Sequence, residues 1–380
     1  MDNFVYNVNY SRHDLWLRFN GKEGSAMILR ELRELAGMTQ DALGEKVGVT
    51  RQTIAVWESG DRQPTIEQLG RLTRALGVSL DLFLEREVGT EPVLLFRADT
   101  PTALSQDLRF ILTQKVEDYA AIEQIVGAEP ALPESRKVPE QALDAIDTHA
   151  ERIRNWLGVE NGPLGDVLAL LEDRGIKVIQ CPLPQLVSGF SAYTEELGGV
   201  VIVNADHAAE RQYFTAIHEL VHLIYHRMEY RRPTASTVKG KDPREKFADA
   251  VAGAVILPRS AIEEELGFYQ NRWIPEPVLQ YIKQRYYVSM KTVLFRAEQT
   301  GIIASKQRGQ QMGKLIEKYG KTDEGERLAK PKMLSRLERL VFQALSYEKI
   351  TSSRAAEILG KPIIDIRQAL LAWVDGEAIA

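Results

Sequence analysis

Along most of this chain the apolar positions recur with a helical period, and in one central stretch they condense into short β-branched runs. Ile28, Leu29, Leu32 and Leu35 make a first apolar stripe, ended by Gly37. Thr39 is placed to cap a helix over Gln40–Val47. Gly48 then turns the chain, and Thr50 caps a further helix over Arg51–Ser59 that Gly60 closes. Leu69, Leu72 and Leu76 mark a fourth helix. Residues 107–126 and 140–157 form two more, parted by Pro130 and Pro133. Ile176–Gln180, Phe190–Thr194 and Val200–Asn204 read as strands between Gly and Pro breaks. A short apolar strand, Val93–Phe96, interrupts a stretch holding Gly89, Pro92 and Pro101 that otherwise reads as linker. Helical stripes resume with Phe214, Ile217, Leu220, Val221 and Ile224, and again with Ala248, Val251, Ala252 and Val255 up to Pro258. From Ile262 onward the chain is mainly helical, and Tyr286–Leu294 and Ile350–Gly360 repeat a helix-turn-helix cadence. The pattern predicts a mainly α fold with a small β-sheet (α+β).

Three of the six histidines fall within the stretch His218-Glu219-Leu220-Val221-His222-Leu223-Ile224-Tyr225-His226, an H-E-x-x-H motif. Residues four apart on a helix share a face, so His218 and His222 can offer their imidazoles to one metal ion. Glu219 leans toward the open side of that ion, where a water would sit. A bound zinc lowers the pKa of such a water, and the carboxylate can accept its proton. Buried, hydrogen-bonded histidines on a packed helix are the competing explanation. Catalytic zinc takes three protein ligands and leaves a fourth position open. Glu245 stands in the first turn of the helix marked by Ala248 and Val251, aligned with its small apolar face. A carboxylate there is costly to bury unless something pairs with it. Glu245 is therefore the expected third ligand. An exposed Glu that stabilises the helix dipole would explain it too, and Asp242 and Asp249 are further candidates for the same role. His226 falls to a supporting or packing role, His207 to a surface or capping one, and Cys181 to that of a buried small residue.

The stretch Arg211 to His226 (R-Q-Y-F-T-A-I-H-E-L-V-H-L-I-Y-H), followed by Glu245, Ala248, Ala252 and Pro258, resembles the ImmA/IrrE family of metallopeptidases. The likeness extends upstream through Trp156-Leu157-Gly158, Leu171–Val178 and the Gly189-Phe190-Ser191 turn. It implies a zincin-like α+β peptidase domain that binds Zn2+ through His218, His222 and Glu245, with Glu219 as general base, and that cleaves a repressor-type protein. Two positions depart from the family pattern. Val221 replaces a common glycine and Val251 a common phenylalanine; both are packing positions, so neither removes chemistry. An edge strand beside the zinc helix would suit a protease, because it can take an extended peptide by main-chain hydrogen bonds.

The N-terminal sequence Met38-Thr39-Gln40-Asp41-Ala42-Leu43, with Val49 through Pro64, resembles the Xre/Cro repressor family. In a helix-turn-helix the second helix enters the DNA major groove. The resemblance implies that Arg51 and Gln52 read base edges, where Arg suits guanine and Gln adenine. It also implies that Gln40 and Thr53 grip the backbone, with Thr50 beside them at the DNA face, and that Arg62 meets a phosphate. From Met27 to Glu85 there are seven Lys/Arg and nine Asp/Glu, a balance of 7 − 9 = −2. DNA affinity must then come from a local face rather than from net charge.

Length and charge add organisation. The 380 residues suggest two or three domains, and the 44% hydrophobic content suits a globular protein. The expected division is an N-terminal extension (1–26), a helix-turn-helix domain (27–85), a linker (86–106), a peptidase domain (107–261) and a helical C-terminal region (262–380). Residues 306–339 carry ten basic against five acidic side chains, a second nucleic-acid surface, a partner face or a solvated helix. No apolar run could span a membrane and no signal peptide opens the chain, so a cytoplasmic location with no membrane partner is expected. The single cysteine fits a reducing compartment. The expected function is a DNA-binding transcriptional regulator with a zinc endopeptidase domain, acting as a homodimer on a double-stranded operator. The alternative is an autorepressing antitoxin whose peptidase-like domain binds a toxin partner or a ligand without catalysis.

Overall fold

Two threonines fix the start of each N-terminal helix. In the computed structural model, Thr39 Oγ1 accepts from the Ala42 amide at the head of α1 (Gln40–Val47), and Thr50 Oγ1 from the Thr53 amide at the head of α2 (Arg51–Glu58). Between them Gly48 adopts a left-handed φ of 74°. Gly44 is required for a different reason. A Cβ there would lie 2.8 Å from the Val49 carbonyl oxygen, so a larger residue would push the turn away from α1. With α3 (Ile66–Leu76) these helices enclose Leu29, Leu32, Leu43, Val47, Ile54, Trp57, Leu69 and Leu72.

The structure describes residues 29–30, 32–34, 36–76, 96–97, 106–129, 133–137, 145–194, 197–227, 243–321, 324–330 and 333–374. Residues 93–95 and 140–144 and Asp242, all named above, lie outside them. The described chain divides into two compact units. One holds the residues up to 76, 106–126 and 340–374, and the other holds 96–97 and 127–339. Helix α4 (Gln106–Val126), expected with the residues that follow it, groups with the first unit. The reason is packing: Ile111 completes the helix-turn-helix core, and Asp118 pairs with Arg354 at 2.5 Å.

The second unit opens with α5 (Ile146–Leu157) and α6 (Val167–Asp173). Its four-stranded sheet has the order β1-β3-β4-β2, where β1 is Phe96–Arg97, β2 Lys177–Cys181, β3 Gly189–Thr194 and β4 Gly198–Asn204. Strands β2 and β4 run parallel, and β3 is antiparallel to both of its neighbours. All seven positions of β4 are buried, as its Val-Val-Ile-Val run requires of a central strand. Helix α7 (Ala209–Tyr225) packs on β3 and β4, and at Gly189 a Cβ would meet Thr215 Cγ2 at 2.7 Å.

Helix α8 (Pro243–Ile256) presents Ala248, Val251, Ala252 and Val255 to the same core. Its small residues bring the helix close to α7. Leu220, Val221 and Val251 are fully buried in that core, so truncating Leu220 to Ala would cost about 2–5 kcal/mol. Helices α9 (Arg259–Leu266), α10 (Glu276–Tyr286), α11 (Met290–Gln299) and α12 (Ser305–Tyr319) follow. From α11 the buried Arg296 donates to the Leu257 carbonyl at 3.0 Å and to Asp147 at 2.7 Å, joining α5 to the end of α8. The chain ends with α13 (Arg336–Ser346), α14 (Ser352–Leu359) and α15 (Ile363–Val374). Among the described residues no helix is long and apolar enough to cross a membrane.

Candidate functional site

The i,i+4 spacing on α7 brings the two imidazoles together. His218 Nε2 and His222 Nε2 lie 3.0 Å apart. Helix α8 delivers the carboxylate of Glu245 to the same point, with Oε2 3.1 Å from His218 Nε2 and Oε1 3.2 Å from His222 Nε2. The outer nitrogens face away from this meeting point. His218 Nδ1 lies 3.0 Å from Asp249 Oδ1, and His222 Nδ1 lies 2.8 Å from His226 Nδ1. With each outer nitrogen acting as donor, both inner nitrogens present lone pairs, and a carboxylate adds a third. Three electron-pair donors converging in a buried place repel one another unless a cation or a proton sits among them.

Zinc fits that arrangement. Tetrahedral ligands at about 2.0–2.1 Å from zinc lie about 3.3–3.4 Å from each other, close to the separations found here. Among the described residues these three form one group of His and carboxylate ligands, with donor atoms within 4.8 Å of one another. With no cation among them the imidazole nitrogens can instead donate to Glu245: burial pushes its carboxyl up, but hydrogen bonds from His218 and His222 outweigh this and hold the group well below the usual carboxylate range. Asp249, a further candidate in sequence, lies behind His218 rather than at the centre, while His226 lies behind His222.

Glu219 is 7% exposed and accepts from Ser191 Oγ of β3 at 2.5 Å. Sequence reasoning missed Ser191. It is 28 residues from its partner, and a serine in a strand carries no signal of its own. His207 sits before α7, where its carbonyl accepts from Gln212 Nε2 at 2.6 Å, and Cys181 is buried at the end of β2.

On α2, Arg51 and Gln52 are exposed and Thr53 half-buried, and Arg62 is exposed beyond the helix. Thr53 Oγ1 lies 2.9 Å from Thr50 Oγ1. Gln40 is less free: its amide donates to Glu58 Oε2 at 2.8 Å. Glu58 is buried and also takes Arg33 Nε at 2.6 Å and Arg33 Nη2 at 3.0 Å. Neither Glu58 nor Arg33 was visible in the sequence as a structural pair, because charges 25 residues apart do not announce their contact. In the basic stretch after α11, Arg308, Lys318 and Arg339 pair with Glu298, Glu276 and Asp173. Part of that charge is therefore matched locally.

Two family profiles match the chain: a helix-turn-helix over residues 29–83 and the IrrE N-terminal-like domain, a peptidase family, over residues 171–298. Similar proteins include an HTH-type transcriptional regulator of Methanothermobacter thermautotrophicus, 42% identical over 66 residues, which are 17% of this chain and 96% of the relative. The HTH-type transcriptional regulator YgzD of Bacillus subtilis is 39% identical over 61 residues, 16% of this chain and 92% of the relative. The (S)-2-hydroxypropylphosphonic acid epoxidase of Streptomyces wedmorensis is 40% identical over 58 residues, 15% of this chain and 29% of the relative.

Proposed function

The chain belongs to the helix-turn-helix transcriptional regulators and carries an IrrE N-terminal-like, peptidase-family domain, and from that premise we propose that this domain is a zinc-dependent endopeptidase. The observation that carries the reading is the convergence of two imidazole nitrogens and the Glu245 carboxylate within 3.2 Å, with Glu219 next along the helix. His218, His222 and Glu245 would hold the ion, and Asp249 and His226 would fix the ring orientations from behind. The ion, when bound, supplies Lewis acidity to a water and to a substrate carbonyl. Glu219 takes the proton of the attacking water and returns it to the leaving amine, while Ser191 holds its carboxylate in place. The substrate class is a repressor-type protein, as the likeness to the ImmA/IrrE metallopeptidases implies. In the helix-turn-helix Arg51 and Gln52 would read base edges, and Gln40, Thr50, Thr53 and Arg62 would position the backbone of a double-stranded operator, read as paired half-sites by a dimer.

Metal content tests the centre directly. About one zinc per chain in the wild type, lost in Glu245→Ala, is the expected result for a three-ligand site. A wild type that takes up no zinc after reconstitution would remove the peptidase reading and leave a regulator whose second domain serves binding alone.

A further inference from the structure

The sheet edge beside α7 is occupied by the chain itself. Strand β1 pairs antiparallel with β3, with Phe96 opposite Ala192 and Arg97 opposite Ser191. Ser191 is the residue whose hydroxyl meets Glu219 at 2.5 Å. Directly opposed residues in an antiparallel pair have Cα atoms about 4.5–5.5 Å apart. The backbone at Arg97 therefore passes one strand spacing from the residue that touches the proposed general base. Main-chain pairing with a strand edge is a general way to hold an extended peptide.

The course of the chain supports the same view. Residues 96–97 group with the second unit, although the residues up to 76 and those at 106–126 group with the first. A segment that only bridged α3 and α4 would have no need to join the other unit's sheet. The sequence leading into it, Val93-Leu94-Leu95-Phe96 after Pro92, is an apolar run of the kind that forms strands.

We propose that the β3 edge is the substrate-strand site of the peptidase domain, and that the segment at Phe96–Arg97 is its first substrate, cut within the same chain. The proposal rests on the peptidase reading above. Hydrolysis consumes one water: its oxygen bonds to the scissile carbonyl carbon, the C–N bond breaks, and the proton held by Glu219 goes to the new amine. The products are a carboxylate and an amino terminus. The cut ends the covalent link from α1–α3 to all that follows and leaves those helices joined by packing, Ile111 of α4 included. It also uncovers β3 for an extended apolar segment of another protein.

The test incubates the full-length, zinc-loaded wild type beside Glu219→Gln and maps fragments by mass spectrometry, with β-casein as an unfolded reference substrate. Loss of the full-length wild-type band, with a new amino terminus at or immediately beside Phe96–Arg97 and none in Glu219→Gln, is the expected result. An intact wild type that digests casein overturns the proposal and spares the peptidase reading. An intact wild type that leaves casein whole overturns both. A second measurement needs no activity. In metal-free protein, Phe96→Pro with Arg97→Pro removes both amide donors of β1, and hydrogen exchange in residues 190–193 should rise at least several-fold. Unchanged exchange there would mean that the β1 segment does not hold the β3 edge in solution, and the proposal falls.

Discussion

Helix α2 turns the polar residues of its first turn outward, and helix α7 turns those of its H-E-x-x-H motif inward. Arg51 and Gln52 are exposed on α2, whereas His222 is 2% and Glu219 7% exposed on α7. An exposed polar side chain costs little, so its presence alone says little. A buried one must be matched, and the matches can be counted: Glu245, Asp249, His226 and Ser191 surround the α7 groups. The same contrast runs inside the helix-turn-helix. Among its described residues the buried carboxylate Glu58 is matched by Arg33 and Gln40, while Arg51 and Gln52, the proposed base readers, stay exposed. The proposed function at α7 would therefore be tied to the fold around it, and that at α2 separable from the fold beneath.

The sharpest way to test this contrast is Glu219→Gln. The amide keeps the shape and cannot act as base, so cleavage of a protein substrate should fall about 10²–10⁴-fold with zinc content unchanged. Unaltered turnover would move the base elsewhere. Next in size is Glu58→Ala, which takes the buried carboxylate from Arg33, 8% exposed, and leaves it only the Met38 carbonyl and the exposed Glu34; it should destabilise the helix-turn-helix by about 3–5 kcal/mol in chemical denaturation. An effect below about 1 kcal/mol would mean that water already reaches the pair.

Smaller still are Arg51→Ala and Gln52→Ala. Each should weaken operator binding by about 1–3 kcal/mol, measured by fluorescence anisotropy at fixed salt, and leave unfolding within about 0.5 kcal/mol of wild type. If either variant lost stability as well, the separation of function from fold at α2 would fail. If neither changed affinity, the face of the domain that meets DNA would have to be sought elsewhere than at α2.

How much of this the sequence could say follows from the same physics. Helices α1 and α2 were readable to within a residue because Thr39, Gly48 and Thr50 each act on their immediate neighbours. The zinc candidates were readable because a four-residue spacing on a helix is local and because Glu245 sits in a face too apolar to leave it unpaired. Strands β2 and β4 were readable from their β-branched runs and β3 from its place between Gly and Pro breaks, although each began or ended one or two residues away from its expected bounds. Pairing was not readable. Nothing in Phe96 and Arg97 names Ala192 and Ser191 as partners, and nothing in the stripe of α4 says which core it will join. Those outcomes depend on contacts across long stretches of chain, which periodicity does not encode.

The smallest predicted effect concerns the scaffold behind α7 and α8. Asp147 accepts from Arg296 at 2.7 Å and from Arg259 Nη2 at 2.7 Å. Burial pushes its carboxyl up, but Arg296 and then Arg259 outweigh this and hold it below the ordinary carboxylate value. With a folded pKa below the unfolded one, the unfolded chain binds the proton more readily. The contribution to stability is thus complete above the unfolded value of about 3.9 and is lost as pH falls through the lower folded one. Asp147→Asn should lower the Tm of the metal-free protein at pH 7, and the gap to wild type should narrow as pH falls below about 4. The gap should be smaller than for Glu58→Ala, since Asp147 is 26% exposed and solvent screens its pairs. A gap that stays constant from neutral to acid pH would show that the Asn variant acts through packing around Arg296, and the charge on Asp147 would then have no part in holding α5 to the end of α8.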